Sequence, residues 1–133
     1  MRLWHEELIP HLPRQQLLGQ HRECCALRGN GWNKRHSVVN YVFEYPPKQL
    51  FLYHEAIMHE MEKRGYNVDP LWKDEKYRGK KCEPFEQEAF SRGKQKDNHV
   101  LFYPEHNEHY LQVCIDNLHG KDIHIDLDRT HKK

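Results

Sequence analysis

RQQLLGQHRECCALR, residues 14–28, is the stretch on which the fold turns. Leu17, Leu18, His21, Cys24, Cys25 and Arg28 recur at the i, i+3, i+4 spacing of a buried helical stripe. Pro13 stands just before it, where a missing N–H costs nothing. Gly29 follows it as an expected left-handed cap. The spacing predicts a helix over 14–28. Within it, Arg22 and Glu23 place a cation and a carboxylate among apolar and histidine neighbours. A carboxylate so placed either makes an ordinary helix ion pair or takes part in chemistry.

Upstream, Leu3, Trp4, Leu8, Ile9 and Leu12 anchor an opening segment that Pro10 and Pro13 keep from forming a long helix; a short helix is expected at about 4–9. Downstream, RGNGWNKR (28–35) combines two glycines, Trp32 and the cations Arg28, Lys34 and Arg35. It reads either as a loop that lays backbone and an aromatic ring against nucleic acid or as a plain connector. HSVVNYVFE (36–44) is ambiguous between strand and helix. Past Pro46 and Pro47 a second helix is predicted over 47–64, with Leu50, His54, Ile57, Met58 and Met61 as its stripe and Gly65 as its stop. Glu55 with His59, and Glu60 with Arg64, have the spacing of helix surface pairs.

Residues 67–99 are charged and aperiodic, with Leu71, Trp72 and Phe85 as anchors and a basic run from Lys73 to Lys81. So long a segment implies either function or short helices that periodicity does not reveal. A third helix is predicted over 105–118, with Leu111, Cys114, Ile115 and Leu118 inside and Gly120 as its stop. Ile123 to Asp128 alternate with period two, the pattern of a short strand. Together these features predict a mainly α, compact single domain over 1–133, with three main helices, long loops and a possible short C-terminal strand.

The composition sets limits. The 133 residues suffice for one modest core. Charged residues make up 31% and mean hydropathy is -1.06, so the surface is very polar. The net charge of +1 is neutral as to partner, but its distribution is not. Residues 1–36 carry six cations against three carboxylates, and residues 104–128 carry one cation against six. That asymmetry fits a phosphate-facing side and a solvated back, or two unrelated solvated faces. Cys24, Cys25, Cys82 and Cys114 include no CxxC pair, which argues against a zinc ribbon. His106 and His109 lie three apart without a carboxylate or cysteine at ligand spacing, so no metal site is expected. No apolar run has the length of a signal peptide or a membrane span, and reduced thiols in the cytoplasm are the expectation.

Several residues taken in order resemble the pyrimidine dimer DNA glycosylases. They are Met1-Arg2-Leu3, then Leu12, Gln15 and Leu17, then Arg22-Glu23; next the run Glu60 to Val68, EMEKRGYNV; and last Tyr103-Pro104-Glu105-His106. The resemblance implies an all-helical fold that bends double-stranded DNA and acts, as a monomer without a cofactor, at damaged or abasic sites. It implies a nucleophilic α-amine, here that of Met1, and a catalytic carboxylate, here Glu23. Arg2 and Arg22 take phosphate-binding roles, and Arg28 stands nearest the family's second arginine; Lys34 and Arg35 extend the basic side. An amine attacks only when neutral. An α-amine titrates near 7.7–8.0 against about 10.4 for lysine, so far more of it is free base near neutral pH. The alternative is a DNA-binding module of the same fold without catalysis, in which Glu23 merely pairs with Arg22 or Arg28.

Overall fold

A computed structural model describes residues 2–29, 40–91 and 103–125. Among these residues the α-helices are α1 (Arg14–Arg28), α2 (Pro47–Lys63), α3 (Gln87–Ser91) and α4 (Glu108–Gly120). The 3-10 helix Glu6–His11 precedes α1, and Asn40–Glu44 and Pro70–Lys73 lie between the longer helices. Among the described residues there is no strand: Ile123, His124 and Ile125 are irregular, and the rest of the expected strand lies outside them.

The two proline-led helices start where the sequence places them. Pro13 and Pro46 both adopt extended dihedrals at the N-cap, and Pro47 occupies the first turn of α2, where no N–H is needed. The helix expected from 105 begins instead at Glu108, because Asn107 is the N-cap and its side chain accepts the Tyr110 N–H at 2.9 Å. Residues 104–106 form a turn, in which Glu105 accepts the Tyr45 hydroxyl at 3.0 Å. Two helix ends differ from expectation. Gly65 does take a left-handed conformation, φ +85. Gly29 does not, with φ -92 and ψ -113. What demands glycine there is space, since a Cβ would lie 2.8 Å from the Arg78 carbonyl oxygen. Gly120 is the last residue of α4, and the positive φ falls on Asp122.

α1 packs against α2, with the opening segment and α4 closing one core. Leu3, Leu8, Leu12, Leu17 and Leu27 are essentially inaccessible, and each such side chain contributes about 1.5–3 kcal/mol by burial. This fixes the first dozen residues against the helices. Arg64 reinforces the attachment by donating to the carbonyls of Leu12 at 2.7 Å and Pro10 at 3.1 Å while bridging Glu60 at 2.8 Å. The Glu60–Arg64 pair is therefore a clamp on the opening segment. A smaller cluster of Phe51, Phe85 and Phe90 docks α3 on α2. Much of the aperiodic 67–99 segment is thus short helix and ordered loop. The basic run within it is partly structural, since Lys73 pairs with Glu62 and Arg78 donates to the Arg28 and Gly29 carbonyls.

Candidate active site

The buried stripe of α1 is Leu17, Gln20, Cys24, Leu27 and Arg28. One polar residue sits in its middle. Gln20 is 1% exposed and uses both ends of its amide. Its Oε1 accepts the Trp4 N–H at 2.7 Å, and the Tyr53 hydroxyl lies 2.8 Å away. The same hydroxyl reaches the Trp4 carbonyl at 2.6 Å. On the other side, Gln20 Nε2 donates to the Arg2 carbonyl at 2.9 Å and to Glu23 Oε2 at 3.0 Å. Gln20 and Glu23 can meet because residues three apart share a helix face. Residues 2–4 therefore lie along α1, stitched by backbone-like hydrogen bonds to a side chain.

That stitching carries the start of the chain to Glu23. The Arg2 N–H points at Glu23 Oε2 from 3.4 Å. Glu23 is half-buried, and its carboxyl is pushed up from the usual range. Burial is the largest cause; the Arg2 N–H, the Gln20 amide and the charge of Arg22 pull the other way. Desolvation wins because neither hydrogen bond comes from a charged donor. The Arg2 guanidinium lies 6.0 Å from the Tyr110 ring centre, and the Tyr110 hydroxyl donates to the Leu3 carbonyl at 2.6 Å. Behind this rim sits a box of aromatic rings. His106 is fully buried between Tyr41, Tyr53, Tyr103 and Tyr110, and it stacks on His5 at 6.0 Å.

The sequence model of the pyrimidine dimer DNA glycosylase family matches residues 1–74, more than half of the chain. The chain belongs to that family. No curated protein and no solved structure matches it. The family match spans the opening segment, α1 and α2, the elements that bring Arg2, Gln20 and Glu23 together. DNA is the substrate class of this glycosylase family. Among the described residues no helix is long and apolar enough to cross a membrane.

The residues expected at the site divide into three groups. Arg2, Arg22 and Glu23 are brought to one region, with Arg22 exposed and Arg2 half-exposed. Met1, Lys34 and Arg35 lie outside the described residues. Arg28 is buried, as its place in the helical stripe predicts, and its DNA-binding role is the correction: it is 2% exposed and faces inward. Its guanidinium donates to the carbonyls of Trp72 at 2.8 Å, Asp74 at 2.7 Å and Tyr77 at 2.9 Å, and lies between the Phe51 and Trp72 rings. A side chain so buried and so committed is a clamp between α1 and the 69–78 loop, out of reach of a DNA phosphate. The expected Arg–Glu ion pair is also not the arrangement found. Among the described residues, Glu23 is held by a backbone N–H and an amide, and Arg28 points elsewhere.

Gln20 and Tyr53 are the residues that sequence reading passed over. The signal for Gln20 was present: one glutamine within an apolar stripe, one turn before the candidate carboxylate. His106 is buried and His109 exposed, so that pair does not converge on a common ligand position.

Proposed function

We propose that this family member is a DNA glycosylase with AP lyase activity that uses the Met1 α-amine as nucleophile and Glu23 as catalytic carboxylate. It acts as a monomer on double-stranded DNA bearing a damaged or abasic site. The observation that carries the reading is the 3.4 Å approach of the Arg2 N–H to Glu23 Oε2. Three covalent bonds separate the Arg2 nitrogen from the Met1 nitrogen, which tethers the amine within at most about 4 Å of it.

The chemistry follows from that tether. The neutral amine attacks C1′ of the damaged nucleotide. The glycosidic C–N bond breaks, and its electron pair leaves with the base, which takes up a proton. The attached nitrogen gives up one of its two protons, and its lone pair expels the ring oxygen, which takes up a proton, leaving at C1′ an iminium ion that keeps the other N–H. Glu23, as a carboxylate, stabilises the positive charge that develops on C1′ and nitrogen. It then accepts a proton from C2′, and the electrons of that C–H bond expel the 3′ phosphate and cut the strand. A partly desolvated carboxylate with a raised pKa is a better base for that step than an exposed one. Arg2 and Arg22 hold phosphates beside the site, and Lys34 and Arg35 are the further DNA-binding cations of this reading. Schiff-base chemistry of this kind asks for no cofactor.

Borohydride trapping tests the proposal. The untagged protein, incubated with abasic-site duplex and borohydride, yields a covalent protein–DNA adduct. An N-terminal extension abolishes it. No adduct, under conditions where a control glycosylase-lyase gives one, leaves the non-catalytic DNA-binding module as the function.

A further inference from the structure

Away from Glu23, α1 and α2 bring three ligand-type side chains together. His21 and Cys25 lie four apart on α1, so they stand one above the other on one face. His54 reaches them from α2. His21 Nδ1 is 2.8 Å from His54 Nε2, and Cys25 Sγ is 4.0 Å from each of those nitrogens. All three donor atoms lie within 4.8 Å of one another. His54 is buried, whereas His21 and Cys25 are half-exposed, which leaves a solvent side.

We propose that His21, Cys25 and His54 bind a zinc ion, with a water molecule as the fourth ligand. The edges of the triangle carry the argument. Tetrahedral zinc, with Zn–N bonds of about 2.0–2.1 Å and a Zn–S bond of about 2.3 Å, needs nitrogens about 3.3 Å apart and sulfur about 3.6 Å from each. Each of the three distances is within about half an ångström of that requirement.

Arg28 sets the proton balance of the site. Its Nη1 lies 3.0 Å from His54 Nδ1 and can only donate, so His54 carries its own proton on Nε2 and gives it to His21 Nδ1. Zinc binds a neutral imidazole, so as the ion takes Nε2 the His54 proton moves to Nδ1 and the Arg28 Nη1 contact there is given up, while Nη1 keeps its bond to the Trp72 carbonyl at 2.8 Å. The Cys25 thiol proton leaves to solvent as the thiolate ligand forms.

The ion has a structural place. His21 and Cys25 are each two residues from Glu23, about 200° around the helix, so the site and the carboxylate occupy opposite sides of α1. Zinc there joins α1 to α2 without entering the repair chemistry, and the inference stands whatever becomes of the lyase reading.

Cobalt spectroscopy tests it. Co²⁺ titrated into chelator-treated full-length protein is expected to give, at one equivalent, a thiolate-to-cobalt charge-transfer band and the intense visible bands of four-coordinate cobalt. Zn²⁺ should bleach them by displacement. Cys25→Ser should remove the charge-transfer band, and His21→Gln should weaken the visible bands, while Cys82→Ser, which alters the half-exposed thiol elsewhere, should leave both. Zinc at about a hundredfold excess over its dissociation constant should raise the unfolding midpoint by roughly 10 °C, and not in Cys25→Ser. No band at one equivalent, or bands that survive Cys25→Ser, overturns the proposal. His54→Gln is the less informative variant, because His54 also packs against Arg28 and its loss can disturb the fold.

Discussion

The Gln20 side-chain amide donates to the Glu23 carboxylate at 3.0 Å and, from the same nitrogen, to the Arg2 carbonyl at 2.9 Å. One buried amide thus fixes both the acid and the backbone that leads to the first residue. Gln20→Leu removes these bonds and leaves the Trp4 N–H and the Arg2 carbonyl without their partner. Each group so abandoned costs about 1–3 kcal/mol. Gln20→Glu, which keeps the acceptor end, is expected to hold Trp4 but to repel Glu23. In both variants kcat for strand cleavage should fall by about tenfold or more while DNA affinity changes little, because misplacement of a reacting group acts on the chemical step. Unchanged kcat in Gln20→Leu, with the fold intact by circular dichroism, would show that the clip is not needed.

Glu23→Gln is nearly isosteric, and its amide oxygen can still accept the Arg2 N–H and the Gln20 amide. Folding stability should therefore stay within about 1 kcal/mol of the parent chain. Strand cleavage should fall by about 10²–10⁴-fold, the usual contribution of a positioned acid–base group. Cleavage at the parental rate would remove Glu23 from the mechanism.

Arg22 and Arg28 of α1 should behave oppositely. Arg22 is exposed, so Arg22→Ala should weaken binding to all DNA sequences alike and lower the salt slope of affinity by about one, leaving the thermal midpoint in place. Arg28 holds three loop carbonyls, so Arg28→Ala should unfold or severely destabilise the chain. Arg28→Lys should rescue it poorly, since one ammonium cannot match a planar fork. Equal effects of the two substitutions on stability would contradict the burial of Arg28.

Acid sensitivity should trace in part to His106. Burial, aided by the nearby His5, holds its imidazole down at about 3, against 6.5 for an ordinary histidine. The rings of Tyr41, Tyr53, Tyr103 and Tyr110 surround it. The unfolded chain binds that proton first as pH falls. His106 therefore contributes stability that is complete above pH 6.5 and is progressively lost down to about pH 3, a total on the order of 5 kcal/mol. Urea unfolding of the parent chain and of His106→Gln across this window should show a steeper acid loss for the parent. Parallel curves would mean that His106 takes up its proton in the folded state.

Much of the frame was legible in the residues. Proline at 13 and at 46–47 located two helix starts to the residue, since the ring both forbids continuation upstream and suits the first turn. Arg22-Glu23 was placed on the right helix. What the sequence hid was facing. The expected stripe of 17, 18, 21, 24, 25 and 28 shares 17, 24 and 28 with the observed 17, 20, 24, 27 and 28 and is turned from it toward 21 and 25, because the buried face includes a glutamine, Gln20. Arg28 belongs to both stripes; what helix spacing does not report is its partners, loop carbonyls forty-odd residues away that occupy the guanidinium a DNA-binding role would need. The cluster of His21, Cys25 and His54 was invisible for the complementary reason. Its third member belongs to another helix, and sequence spacing reports only neighbours on the same one.

The most direct test of the account is to identify which residue becomes attached to DNA. After borohydride reduction with an abasic-site duplex, peptide mass spectrometry of the adduct should place the sugar remnant on the Met1 α-nitrogen, with Glu23→Gln slowing cleavage. Attachment to a lysine side chain, or a protein whose first residue is not a free Met1, would contradict it.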